Sequence, residues 1–131
     1  MLIVEDNAMF RQSFRKVLVA CFPTYTIDEA VDAAGALEKV ETFQPDLVFM
    51  DIRLPGENGI RLTRKIKDSH PEIIVVIHTS YDLPEYREAA FQAGASDFIT
   101  KGSLAERQIK VLVDSILPNK ETASSNPDKS A

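Results

Sequence analysis

Only one cysteine, Cys21, stands in the whole chain, so an internal disulfide and any cysteine-built metal cluster are excluded. Long apolar runs are missing too. None approaches the roughly 20 residues a helix needs to cross a bilayer, so no membrane-spanning helix is expected. Excess positive charge is the third absence: 15 Lys and Arg face 20 Asp and Glu, for a net charge of −5. Such a chain has no general attraction for nucleic acid, and direct contact with it would need a local basic patch or a partner domain. The opening MLIVED has no basic segment followed by a long apolar core, so no secretory signal is read there and a cytoplasmic setting is expected. What remains is 131 residues, 44% hydrophobic and 27% charged, the ordinary composition of one domain with its own core.

The most informative stretch is LVFMDIRLPGENG, residues 47–59. Its first four residues are apolar and suit a central strand covered on both faces, and Pro55, Gly56, Asn58 and Gly59 break the backbone directly afterwards. Asp51 therefore stands where a buried strand surfaces, the position at which open parallel sheets bind ligands, although an Asp at such a junction also serves as an ordinary cap.

Around it, strands and helices alternate. Residues 2–4 form a short apolar strand ending in Glu5 and Asp6, and Asn7 stands where a helix cap would. Phe10, Phe14, Val17, Leu18 and Cys21 then stripe a first helix that Pro23 stops, which makes Cys21 a small buried core residue. Residues 24–30 read as a more polar edge strand. Asp32 can cap a second helix with Ala33, Leu37 and Val40 on one face. A third helix after Gly59 turns Leu62 and Ile66 inward and leaves Arg61, Arg64, Lys65 and Lys67 as a solvated face. The five consecutive Ile and Val residues 73–77 lead to His78, Thr79 and Ser80 and form the strongest strand. Asp82 and Glu85 around Pro84 predict a capped fourth helix running to Gly94. Residues 97–100 form a short strand before Lys101 and Gly102. Ser103 and Glu106 repeat the capping pattern before a fifth helix striped by Ile109, Leu112, Val113 and Ile116 and closed by Pro118. From residue 119 onward there is no periodicity, so residues 1–118 are expected to fold and 119–131 to be a disordered tail or linker.

Five strands alternating with five helices imply an α/β fold: a doubly wound parallel sheet with helices on both faces. The purely apolar strands 1, 3 and 4 belong inside, which the order 2-1-3-4-5 satisfies, with a switch point between strands 1 and 3. The ends of those two strands carry Glu5, Asp6 and Asp51. Two unit charges about 4 Å apart repel by roughly 4 kcal/mol at an effective dielectric of 20, so positive charge must lie nearby. An all-oxygen set without His or Cys suits Mg²⁺. Lys101 and Thr79, at the ends of strands 5 and 4, add a cation and a hydroxyl, which completes the parts that phosphoryl transfer to a carboxylate needs. Singly, Lys101 is an ordinary turn lysine, Thr79 a strand-end threonine, and Glu5 with Asp6 surface charge. It is their shared position at strand carboxyl ends that argues for a site.

In order and spacing, LIVEDN, LVFMDIRLPGENG, VVIHTS and AGASDFITKG resemble the receiver domain of two-component response regulators, over residues 2 to about 117. The resemblance implies a flavodoxin-like fold and a phosphoacceptor switch rather than an enzyme with its own substrate. It implies that Asp51 accepts the phosphoryl group, that Asp6 and Asp51 bind Mg²⁺ directly with a main-chain carbonyl of Arg53, and that Glu5 assists through water. Thr79 is implied to contact phosphate, Lys101 to ion-pair with it, and Phe98 to occupy an aromatic switch position. The implied partner is a sensor histidine kinase or phosphotransfer protein. The fourth helix, fifth strand and fifth helix form the surface that changes, which could serve a homodimer or, through a DNA-binding domain not present here, a transcriptional regulator. Three positions depart from the commonest pattern: Glu5 replaces Asp, Phe98 lacks a hydroxyl, and Gly102 stands where many members have a cis proline. Two other readings are open to these residues. A haloacid dehalogenase-type hydrolase would have its nucleophile on strand 1 with a second Asp two residues on, whereas Asp51 is on strand 3 and Arg53 holds that offset. A receiver-like scaffold that works without phosphorylation would not need the full set of groups present.

Overall fold

The computed structural model describes residues 1–103 and 105–117. The expected tail beyond residue 118, and Pro118 itself, lie outside them. Five strands alternate with five helices: β1 (Leu2–Val4), α1 (Ala8–Cys21), β2 (Asp28–Ala30), α2 (Ala33–Thr42), β3 (Leu47–Met50), α3 (Gly59–Ser69), β4 (Ile74–Thr79), α4 (Pro84–Gln92), β5 (Asp97–Thr100) and α5 (Glu106–Ile116). All strand pairs are parallel, in the order β2-β1-β3-β4-β5. The fold and strand order are thus those expected from the apolar patterning.

The two faces follow from strand alternation. Leu2, Val4, Val48, Met50, Val75, Ile77 and Phe98 pack with Ala36, Val40, Leu62, Ile66 and Ala90 from α2, α3 and α4. Ile3, Leu47, Phe49, Val76 and Ile99 pack with Phe14, Leu18, Ile109 and Val113 from α1 and α5. Register aligns the strand ends: Val4 lies opposite Met50, Met50 opposite Ile77, and Thr79 opposite Thr100. The residues that follow each strand, Glu5, Asp51, Ser80 and Lys101, consequently leave the sheet along one edge.

Local details differ from the expectations. β2 is three residues long because the chain turns first: the Tyr25 N–H bonds the Phe22 carbonyl, and the Tyr25 ring packs on that of Phe22 at 5.8 Å. On α2 the inward face is Ala33, Ala36 and Val40, and Leu37 is exposed; a small residue at 36 brings the helix close to the sheet. Cys21 is only half-buried, its thiol facing Glu106 at the α1–α5 contact, and burial together with that carboxylate pushes it above its usual pKa. Neither expected capping box forms. Leu83 precedes Pro84 at the start of α4, and Asp82 instead pairs with Arg87 at 2.8 Å. At α5 the first-turn acceptor is Gln108, whose Oε1 receives the Ala105 N–H, while Ser103 turns back to the Thr100 carbonyl. Nor are the basic residues of α3 merely solvated: Arg64 donates to the Gln92 carbonyl at the end of α4, Lys67 to the Pro71 and Ile73 carbonyls, and Lys65 pairs with Glu57.

His78, on the α1/α5 side of β4, lies against Phe14 at 4.5 Å, Phe10 at 5.1 Å and Phe49 at 6.3 Å. Burial, reinforced by the Lys101 charge, pushes its pKa down from 6.5 to about 4, so the ring is neutral near pH 7. An unfolded histidine binds its proton earlier on acidification than this one does. The contribution of His78 is therefore intact above pH 6.5 and is lost as pH falls toward 4.

Three outcomes are expected. A Cβ at Gly59 would sit 1.8 Å from the Asp51 carbonyl oxygen, so Gly59→Ala should lower stability in urea titration by about 2–3 kcal/mol. Gly102 has a φ of +79° and open space around it, so Gly102→Ala should cost only about 1 kcal/mol. Between pH 6.5 and 4, wild-type protein should lose about 3 kcal/mol more stability than the His78→Phe variant, measured as the difference between their urea midpoints across that range.

Candidate functional site

Each acidic residue is delivered by local structure. After β1, the Glu5 N–H bonds the Ala30 carbonyl, which keeps the backbone in the sheet for one more residue and leaves its side chain buried. The Glu5 Oε2 accepts the Asn7 N–H at 3.0 Å, and Asn7 in turn caps α1 by accepting the Phe10 N–H at 2.9 Å. Asp6, between them, is exposed and makes no hydrogen bond to the described residues. After β3, the Asp51 N–H bonds the Val4 carbonyl, and its own Oδ1 accepts the Ile52 N–H at 2.7 Å, which orients the carboxylate. The Gly59 N–H bonds the Ile52 carbonyl, and α3 starts so close to Asp51 that only glycine fits.

Lys101 reaches across from the end of β5. Its Nζ lies 2.7 Å from Glu5 Oε1, 3.1 Å from Asp51 Oδ2 and 4.6 Å from the centre of the Phe10 ring. Burial alone would lower its pKa, but the hydrogen bonds to Glu5 and Asp51 outweigh that and hold it above its usual value. Burial pushes the Glu5 carboxyl up, against the opposing hydrogen bonds from Lys101 and Asn7. One oxygen from each of Glu5, Asp6 and Asp51 falls within 4.8 Å of the others. Together they line a crevice of about 680 Å³ at the β1/β3 switch point, walled also by Arg53, Asn58, Ser80, Tyr81 and Tyr86.

Of the residues expected at the site, Glu5, Asp6, Asp51, Arg53 and Lys101 meet at this crevice. Thr79 adjoins it but is fully buried, and its hydroxyl accepts the Tyr81 N–H at 3.3 Å. Phe98 stands apart on the α4 side of the sheet, 3% exposed, with the Arg87 guanidinium 4.7 Å from its ring centre. Without a hydroxyl, this ring has no group to gain from reaching water.

Sequence reasoning missed two supports. Arg11 donates from Nη1 to the Glu5 carbonyl and from Nε to Glu29, both at 2.8 Å, and so ties the acidic turn to β2. Only its one-turn offset from Asn7, facing an acidic strand end, could have hinted at this. Arg53 lies 4.3 Å from the Tyr81 ring centre, a cation–π contact across the crevice mouth between residues 28 apart in sequence, which periodicity cannot reveal.

Residues 1–114 match the response regulator receiver domain family. Among curated proteins, the response regulator GacA of Pseudomonas viridiflava is 34% identical over 106 residues, which are 80% of this chain and 50% of that protein. The oxygen regulatory protein NreC of Staphylococcus carnosus is 34% identical over 112 residues, 85% of this chain and 52% of that one. The chain thus spans about half the length of these relatives. Among solved structures, a LuxR-family two-component response regulator from Aurantimonas sp. SI85-9A1 aligns with TM-score 0.79 at 32% identity, covering 88% of this chain and 82% of that one. A CheY-like receiver domain protein from Methanospirillum hungatei JF-1 aligns with TM-score 0.82 at 27% identity, covering 93% and 95%.

Removing the lysine should leave a buried carboxylate without its cation. Lys101→Met is expected to lower stability at pH 7 by about 3 kcal/mol in urea titration, and adding Glu5→Gln to it should restore most of that loss.

Proposed function

This chain belongs to the response regulator receiver domain family, and from that membership we propose that Asp51 accepts a phosphoryl group from the phosphohistidine of a sensor histidine kinase or phosphotransfer protein. The observation that carries the reading is a buried carboxylate at the switch point, with two further carboxylates within 4.8 Å of it and a lysine ammonium at 3.1 Å. The donor set fits Mg²⁺, since it is all oxygen and opens onto the crevice. The carboxylates of Asp6 and Asp51 and the main-chain carbonyl of Arg53 would hold the ion. Both Glu5 oxygens already accept hydrogen bonds, which suits an assisting role through water. When bound, Mg²⁺ supplies the positive charge that offsets the carboxylates and the phosphate oxygens together.

In the transfer, an Asp51 carboxylate oxygen attacks phosphorus. The new P–O bond forms as the P–N bond to the donor imidazole, protonated on its other nitrogen, breaks; the leaving nitrogen keeps the electron pair, neutral imidazole departs, and Asp51 becomes an acyl phosphate. The Ile52 N–H at Oδ1 steers the other oxygen toward the donor. Lys101, now shared between Glu5 and Asp51, would follow the added negative charge onto a phosphate oxygen. Thr79 would exchange the Tyr81 N–H for the phosphate, and Phe98 lies behind that movement as the switch ring. The responding surface on this reading is that of α4, β5 and α5, where Phe91 and Val111 stand exposed, available to an effector or a second copy of the chain. The relatives' names, among them the transcriptional regulatory protein DegU of Brevibacillus brevis at 27% identity, favour transcription as the output. Among the described residues no helix is long and apolar enough to cross a membrane.

Acetyl phosphate with Mg²⁺ should label the protein with phosphate that is acid-labile and released by hydroxylamine, as acyl phosphates are, and Asp51→Asn should abolish that labelling in a phosphate-release assay. Asp6→Ala should weaken Mg²⁺ binding by at least about tenfold, read by fluorescence or amide NMR titration. Undiminished labelling of the Asn variant would refute the assignment.

A further inference from the structure

A second cavity lies away from the acidic crevice, between α1, α5 and the ends of β4 and β5. Its volume is about 150 Å³, and Phe10, Phe14, Val17, Ile99 and Ile109 form its apolar walls. Thr100 and the exposed Ser13 and Gly102 border it as well. The one ionisable group lining it is His78, whose residue surface is 6% exposed. Its ring contacts are with Phe10, Phe14 and Phe49, and among the described residues nothing hydrogen-bonds its nitrogens.

That combination selects an occupant. A buried water wants two to four polar partners, and against these hydrocarbon walls it would find chiefly the imidazole. A carboxylate would lose its hydration without a cation lining the cavity to replace it. An apolar cavity of about this volume holds one benzene-sized ring. A neutral imidazole both donates and accepts, so a hydroxyl on that ring has a partner at His78 whichever tautomer is present.

We propose that this cavity binds a small neutral phenol, with its ring against Phe10, Phe14, Val17 and Ile109 and its hydroxyl hydrogen-bonded to His78. The site would not be isolated from the crevice. Phe10 lines the cavity and also carries the Lys101 ammonium 4.6 Å from its ring centre, so an occupant would touch the same ring that Lys101 rests on.

Amide NMR titration of the full chain with phenol and with toluene, without Mg²⁺ or a phosphodonor, tests this independently of the Asp51 assignment. Phenol should saturate with a Kd on the order of 1 mM, as suits so small a ligand, with shifts centred on α1, the end of β4 and α5. His78→Phe should weaken phenol by about fivefold and leave toluene unchanged, since only phenol loses a hydrogen bond. Val17→Trp, at a partly exposed wall position, should fill the space and abolish binding of both. Shifts that fail to saturate or centre elsewhere, equal effects of His78→Phe on both ligands, or binding that survives Val17→Trp in the folded variant would overturn the proposal.

Discussion

The ammonium of Lys101, held between Glu5 and Asp51, is the contact on which the rest of this structure depends. A parallel sheet that ends β1 and β3 side by side brings their acidic residues together, and carboxylates at that spacing repel unless something positive lies between them. Lys101 supplies that charge from the far edge of the sheet, two strands beyond β3. The same contact bridges the first and last strands of the fold and leaves Asp6 facing the crevice. With one ammonium facing three carboxylates, the crevice keeps an excess of negative charge.

Supporting contacts keep that arrangement level with the strand ends. The Arg11 guanidinium grips the Glu5 carbonyl and Glu29, so that α1 and β2 hold the acidic turn from outside. Gly59 lets α3 begin against the Asp51 carbonyl, where any larger residue would push the β3–α3 turn away. On the same face of the sheet as α3, Phe98 is buried under Arg87, which also pairs with Asp82 just before α4. The Phe98 ring is packed in the core, and Arg87 links the β4–α4 loop, through Asp82, to β5, through that ring.

Much of the architecture was legible because parallel sheets require strands buried on both faces, and β1, β3 and β4 announce themselves as uninterrupted apolar runs. The edge strand β2 was the least legible: three residues pair, and the polar residues preceding them turn over Phe22 instead. Helix caps were legible where a side chain does the capping, at Asn7 and Asp32, and not where none does, at Leu83 and Ala105, although α4 begins at Pro84 as expected. There, nearby Asp and Ser found partners in Arg87 and the Thr100 carbonyl, a competition that depends on what lies across the loop. Leu37 fell outside the core because helical periodicity selects a stripe about two residues wide, and Ala36 fits closer to the sheet.

By itself the sequence determined that Asp51 ends a central strand, that Glu5 and Asp6 end another, and that a parallel order satisfying both would set them at one switch point. Residue type and period suffice for that, because burial dictates which strands are interior. Only the tertiary structure decided that Lys101 rests on Glu5 more closely than on Asp51, that the Thr79 hydroxyl is turned to the Tyr81 N–H, that Arg53 stacks on Tyr81, and that His78 faces a small apolar cavity. Those are choices among partners of similar chemistry at short range. They are settled by fractions of an ångström in packing and by local desolvation, which no linear pattern of residues records.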